Sequence, residues 1–204
     1  MARARRLSQR SAEWHALRQF RVTASSFAAA VGTDELRSVE SALWEMVDPG
    51  ARSPGPRGRA AMTYGQLLEQ HVFDVYAARR PHVKLAHVGL CIAPEMPWLA
   101  CSPDALVRDG EEVGLLEVKC PTVRSDLQPL EYRPYLAQIQ GIMGILRLPW
   151  CDFAVWTRKG GLSVQRVSFD PAYFDGLVKK LNSFYFERFV PFAVRLRTRL
   201  NDIE

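Results

Sequence analysis

Cys101-Ser102-Pro103-Asp104, followed by Gly114-Leu115-Leu116-Glu117-Val118-Lys119-Cys120-Pro121, is the stretch on which the reading of this chain turns. As a pattern it is P-D-x12-E-x-K. Successive strand residues point to opposite faces, so Glu117 and Lys119 project together while Leu116 and Val118 enter a core. If the intervening segment folds back as a hairpin, Asp104 joins them. Two converging carboxylates bind a hard cation through oxygen, and a neighbouring ammonium can activate water or offset charge on a phosphate. A polar hairpin with a surface ion pair on Lys119 would carry the same letters. The apolar strand around Glu117 and Lys119 weighs against it, because charges are rarely placed on buried strands without partners or a function.

Working outward, residues 88–93, 98–101, 105–108 and 113–120 read as an antiparallel meander. Upstream, helices are predicted over 11–18, 23–31 (stopped by Gly32), 37–47 and 60–79, the last with apolar Leu67, Leu68, Val72, Val75 and Tyr76 at helical spacing. The Pro, Gly and Arg-rich segment 48–59 reads as a mobile loop. Downstream come a helix over 135–146, a hairpin of 151–157 and 162–169, and a final helix capped by Asp170-Pro171. That last helix gathers Phe174, Leu177, Val178, Leu181, Phe184 and Tyr185 on one face. This order predicts an α/β domain with a mixed central sheet flanked by helices.

The 204 residues suffice for one domain over 1–204, with a flexible basic start at 1–10. The net charge of +5, with arginines concentrated at both ends, favours a polyanionic partner. No apolar run approaches the roughly 20 residues needed to cross a bilayer, and no secretory apolar segment follows the basic start, so the chain reads as cytoplasmic. The cysteines Cys91, Cys101, Cys120 and Cys151 lack C-x2-C spacing, which points to reduced, disulfide-free thiols rather than a zinc or iron–sulfur site.

Other polar residues stand out from their local pattern. Ser25 falls in the first turn of a helix, and Arg18 is a fork-shaped donor that could pair with the same phosphate, although an ordinary cap and a solvated arginine read equally well. Glu69 sits on a helix with largely apolar neighbours, either as a further acid of the metal site or as a surface residue. On the 135–146 helix, Gln138 is the better candidate to hold a water or a phosphate oxygen, and Gln140 is read as solvated.

Taken in order, W14-H-x-L-R18-x(3)-V-T-A-S25, Y64-G-x(3)-E69, A100-C-S-P-D-A-L106, L115-L-E-V-K-C-P121, Y135-x-A-Q-I-Q140 and C151-D-F-A-V-W-T157 resemble one family. It is the phage lambda exonuclease group, the YqaJ-type viral recombinases related to herpesvirus alkaline exonucleases, within the PD-(D/E)xK nucleases. The resemblance implies a restriction-endonuclease-like core. It also implies that Asp104, Glu117 and the Val118 carbonyl bind two Mg2+ ions, for which Mn2+ can substitute. Lys119 and Gln138 match residues that position or activate water, and Glu69 matches a helical carboxylate near the metals. Arg18, Ser25 and Ser102 match residues holding a 5′-phosphate, and Met62 falls at an apolar wedge between terminal base pairs.

The implied activity is 5′→3′ digestion of one strand of linear duplex DNA, leaving 3′ single strands for recombination. The implied partners are double-stranded DNA ends, two further copies of the chain in a homotrimeric ring, and a single-strand annealing protein; a bacterial or phage origin is implied as well. Ala105 replaces a glycine common in the family, and the loop after Pro121 departs from it. A site-specific or structure-specific endonuclease on the same core, or a catalytically silent DNA-binding scaffold, are the rival readings. An endonuclease would cut closed circular DNA, and a scaffold would cut nothing.

Overall fold

A computed structural model describes residues 3–4, 11–49, 55–121 and 133–201. Residues 1–2 and 5–10 of the basic start, 50–54 of the loop expected over 48–59, the polar segment 122–132 and residues 202–204 lie outside the described residues. In chain order the elements are β1 (Arg3–Ala4), α1 (Ala12–Arg18), β2 (Val22–Thr23), a 3-10 turn (Ala24–Ser26) running into α2 (Phe27–Ala30), and α3 (Val39–Val47). Then follow α4 (Pro56–Arg79), β3 (Lys84–Ala86), β4 (Cys91–Ile92), β5 (Leu99–Cys101), β6 (Ala105–Asp109) and β7 (Glu112–Lys119). The chain closes with α5 (Arg133–Leu146), β8 (Trp150–Thr157), β9 (Gly161–Ser168), α6 (Pro171–Ser183), a π turn (Phe184–Phe189) and α7 (Val190–Asn201). Among the described residues, no helix is long and apolar enough to cross a membrane.

The central sheet has the order β3-β6-β7-β8-β9. It is mixed: β7 and β8 run parallel, joined through α5, and the other neighbours are antiparallel. A parallel pair needs such a crossover because a tight turn can only reverse the chain. The β6–β7 hairpin turns on Gly110-Glu111, with Gly110 at φ +61° and no positive φ at Glu111. A positive first angle alone is the II′ geometry, whose twist suits the flanking strands.

The expected four-strand meander is instead divided between two sheets. β4 and β5 belong to a second sheet of order β1-β4-β5-β2, in which β2 runs parallel to β5. The division falls at Ser102-Pro103, where a residue without an N–H cannot continue a ladder. Of the strand expected over 88–93, only Cys91 and Ile92 enter the ladder, although Leu90 and Ala93 are buried and the Ala93 N–H donates to the Leu99 carbonyl at 3.1 Å. β3 is hidden in the sequence because it is an edge strand of only three residues, too short for its alternation to register.

Each face of the central sheet has its own core. On one, Leu115, Cys151, Phe153 and Val155 pack with α2, α5 and α6. On the other, Leu116, Val118, Ala105, Val107 and Ala154 pack with Val72, Phe73 and Tyr76 of α4. α5 is pressed tightly into the first core: a Cβ on Gly141 would stand 2.4 Å from the Phe27 ring, and one on Gly144 2.3 Å from the Phe174 ring.

α4 begins at Pro56, four residues before the expected start, because proline suits a first helical position. Leu67, expected on its buried face, is 75% exposed, since only the second half of α4 packs on the sheet. At the other end, the helix runs on past Tyr185 to Asn201. Pro191 cannot donate to Glu187, and the helix widens just before it, with the Val190 N–H reaching back to the Tyr185 carbonyl.

Candidate metal centre and anion pocket

β7 outruns its partner at the point where chemistry begins. The β6 ladder ends at Ala105, opposite Leu116. Beyond that, the Val118 N–H donates to Asp104 Oδ2 at 2.7 Å in place of a strand neighbour. A strand residue directs its N–H and C=O to the same side, so the Val118 carbonyl also faces this edge. Asp104 is therefore brought to the Val118 main chain, and its charge reaches Glu117 and Lys119.

Glu117 is 1% exposed. Its Oε1 accepts from Lys119 Nζ at 2.6 Å and from the Gln138 amide on α5. Its Oε2 is buried and has no hydrogen-bond partner among the described residues. A buried carboxylate oxygen left unpaired carries a cost of several kcal/mol unless something compensates it. Burial first, and then the charge of Asp104, push the Glu117 carboxyl up to about 8, with Lys119 opposing and Glu69 adding to the rise. Burial alone would lower the Lys119 pKa, but Glu117 and Asp104 together raise it above the ordinary lysine value. The group titrates as a unit: acids outnumber the one ammonium, so the cluster retains a proton well above the usual carboxylate range.

Glu69 lies on α4, half-buried, and its charge reaches Glu117 and also Cys120, whose thiol is pushed up to about 11 by burial, Glu69 and Asp104. Among the described residues no three His, Cys, Asp or Glu side chains form a ready metal cluster, and the charge of Glu69 is felt at Glu117. The donor set still fits a divalent cation: two carboxylates, one of them with a buried oxygen unpaired among the described residues, and a main-chain carbonyl, with water making up the shell as Mg2+ usually keeps it. Met62 is 54% exposed. Seven residues before Glu69, it shares that residue's face of α4, about 10 Å along the axis.

A second cluster lies just before Asp104 in the chain. Trp14 Nε1 donates to Ser102 Oγ at 3.1 Å, and the Arg18 guanidinium stacks 4.2 Å from the Trp14 ring centroid. Accepting from Trp14 leaves the Ser102 hydroxyl proton for another acceptor. The Arg18 side chain is 11% exposed and donates to Glu45 Oε1 at 3.2 Å. Burial pushes its pKa down and Glu45 pushes back. Ser25 is exposed on the 3-10 turn, its Oγ 3.4 Å from Thr23 Oγ1 and its carbonyl accepting from Arg37 Nη2. Arg18, Ser25 and Ser102 thus fall on one continuous network of contacts.

Several participants were not singled out in the sequence. Arg37 and Glu45 knit the candidate anion pocket together, and only pairing across distant segments reveals them. Gln140, expected in solvent, is 2% exposed. Its amide donates to the Ser168 carbonyl and its oxygen accepts from the Asp170 N–H, tying α5 to the chain ahead of α6. Asp152 is fully buried on β8, accepting from Tyr76 Oη (2.5 Å), Arg80 (2.6 Å) and Arg166 (2.8 Å). All four cysteines are free thiols, three of them buried.

A family model for the YqaJ-like viral recombinase domain matches residues 13–145. No curated protein matches the chain. Among solved structures, the alkaline exonuclease LHK-Exo from Laribacter hongkongensis is 24% identical over 95% of this chain and 100% of its own, with a TM-score of 0.74. LHK-Exo in complex with dAMP is 25% identical over the same shares, with a TM-score of 0.75. A phage-related exonuclease from Haemophilus somnus 129PT shares the fold at 13% identity, covering 88% of this chain and 99% of its own with a TM-score of 0.56.

Proposed function

The chain belongs to the YqaJ-like viral recombinase domain family, and from that premise we propose that it is a Mg2+-dependent 5′→3′ exonuclease acting on the ends of linear duplex DNA. The observation that carries this reading is the Glu117 carboxylate, buried beside Asp104 with Oε2 unpaired among the described residues and with Oε1 secured by Lys119 and Gln138. Asp104, Glu117 and the Val118 carbonyl would hold two Mg2+ ions, or Mn2+ in their place. Bound there, the metal lowers the pKa of water and offsets charge on the scissile phosphate.

The residues of the chain divide the remaining work. Lys119 and Gln138 fix one oxygen of Glu117, which aims the other at the cation. Lys119, kept protonated, offers its remaining N–H donors to the attacking water and the phosphate. Arg18, Ser25 and Ser102 take the 5′-phosphate, and Pro103 alone separates that pocket from the metal-binding Asp104. Met62, exposed on the face of α4 that carries Glu69, would part the terminal base pairs. Kinship further supports a homotrimer around DNA, a single-strand annealing protein as partner and a cytoplasmic place of work.

Digestion of linear duplexes with 5′-phosphate or 5′-hydroxyl ends, in Mg2+ and in chelator, tests the reading. Mg2+-dependent loss of the strand with the phosphorylated 5′ end is expected, with covalently closed plasmid untouched. Equal rates on both ends remove the phosphate pocket, and cutting of the plasmid turns the assignment to an endonuclease. Light scattering that reports a monomer at working concentration removes the trimer.

A further inference from the structure

Glu45 is an acid inside a pocket read as anion-binding, and nothing in that reading explains it. Its carboxylate is shared by three donors from three segments: Arg18 at 3.2 Å from Oε1, and Ser26 Oγ at 2.8 Å and Arg37 Nη1 at 3.8 Å from Oε2. Arg18 comes from the end of α1, Ser26 from the turn before α2 and Arg37 from the loop before α3, so one side chain of α3 draws the pocket walls together.

A carboxylate near a bound phosphate repels it, so its presence calls for a compensating role. Arg18 supplies one. Its side chain is 11% exposed, it lies over the Trp14 ring, and Glu45 is the acceptor of its hydrogen bond among the described residues. A guanidinium has five N–H donors in a rigid fork. Clamped between an aromatic face and one carboxylate oxygen, it has a fixed plane and spare donors for a ligand. Without Glu45, the buried cation would lose both its counter-charge and its orientation.

We propose that Glu45 is the positioning residue of the 5′-phosphate pocket, setting preference for phosphorylated ends by holding Arg18, and Arg37 more loosely, in binding geometry. The inference rests on the pocket assignment made above. Glu45 acts through Arg18 and does not touch the reacting atoms.

The test measures steady-state digestion by the full chain, in Mg2+, of linear duplexes with 5′-phosphate and 5′-hydroxyl ends. Glu45→Ala should raise KM for phosphorylated ends about tenfold, with a smaller change in kcat, and lower the phosphate-to-hydroxyl preference accordingly. Glu45→Gln keeps an acceptor for Arg18 and a partner for Ser26, so it should stay within about threefold of the parent. In an Arg18→Ala background, Glu45→Ala should cost no further preference. If the alanine variant fails to fold by thermal melting, Glu45→Asp takes its place: the shorter reach should weaken phosphate preference as alanine would.

An unchanged preference in Glu45→Ala overturns the inference. So does tighter phosphate binding by both the alanine and glutamine variants, which would make Glu45 a competitor. Equal losses with and without Arg18 would make its role purely structural and overturn it too. A parent protein indifferent to 5′-phosphate sinks the pocket itself, a result distinct from all of these.

Discussion

Metal binding at this centre should displace a proton, and the size of the linkage follows from Glu117. In the folded chain its carboxyl is held up to about 8. In the unfolded chain a glutamate titrates near its ordinary value of about 4.3. The folded pKa is the higher one, so the stability gained from this group is fully present below about pH 4.3 and is lost as pH rises through 8. By pH 7 the loss in the metal-free chain is on the order of 3 kcal/mol. Mg2+ needs the carboxylate, so between pH 6 and 8 its apparent affinity should rise about tenfold per unit and then level off.

While the metal is in excess over its apparent Kd, that corresponds to about 1.4 kcal/mol of added stabilisation per pH unit. For a chain of this size it is an increase of roughly 3–6 °C in the Mg2+-induced Tm shift per unit. Melting curves at fixed Mg2+ from pH 6 to 9 measure it, and calorimetry in buffers of different ionisation enthalpy counts the proton released. Glu117→Gln should lose the Mg2+ shift altogether while melting higher than the parent in metal-free alkaline buffer. A Mg2+ shift that is flat from pH 6 to 8, or one that survives in Glu117→Gln, refutes the reasoning.

Three further outcomes are expected. Lys119→Ala should abolish cleavage while gel-shift binding of duplex ends survives; substantial remaining turnover would hand water activation to another group. Asp152→Ala strands Tyr76, Arg80 and Arg166 around an empty site, and should cost about 3–5 kcal/mol in chemical denaturation. The Asp152 pKa is lowered because Arg166, Tyr76 and Arg80 outweigh its burial, so its stabilisation is present above about pH 4 and lost in stronger acid. Gly141→Ala would place a Cβ 2.4 Å from the Phe27 ring, and should destabilise by roughly 1–3 kcal/mol, with partial recovery when Phe27 is trimmed to Leu.

What the sequence disclosed, and what it hid, divides along the range of the forces involved. The positions of Glu117 and Lys119 on one face, with Leu116 and Val118 turned away, follow from strand periodicity alone, and the structure has them so. Gln138 was legible because a helix places it one turn from Tyr135 on a defined face. Gln140 misled for the same local reason: a polar residue two positions on reads as solvated until Ser168 and Asp170 are brought beside it. Glu45 and Arg37 look like ordinary charges of the amphipathic helix predicted over 37–47, and only the fold sets them against Arg18 and Ser25. Asp152 was invisible inside an apolar strand because its three partners come from α4, the residue after it, and β9.

The same split of strands that the sequence concealed is what joins the two halves of the site. Had residues 88–120 formed one meander, Ser102 and Asp104 would sit in a continuous ladder with their backbones spent on neighbours. Instead β5 ends in one sheet and β6 begins in the other, with Pro103 between them. Ser102 is left to meet Trp14, and Asp104 to meet the Val118 N–H. Two residues of chain span at most about 7 Å, the order of one phosphate-to-phosphate step along a strand. A terminal phosphate seated at Ser102 would therefore put the next phosphodiester at Asp104, and the short Ser-Pro-Asp link would set where the first cut falls. Inserting a glycine after Ser102 should shift or abolish that register, read from the length of the first product released, while leaving the Glu117–Lys119 face of β7 in place.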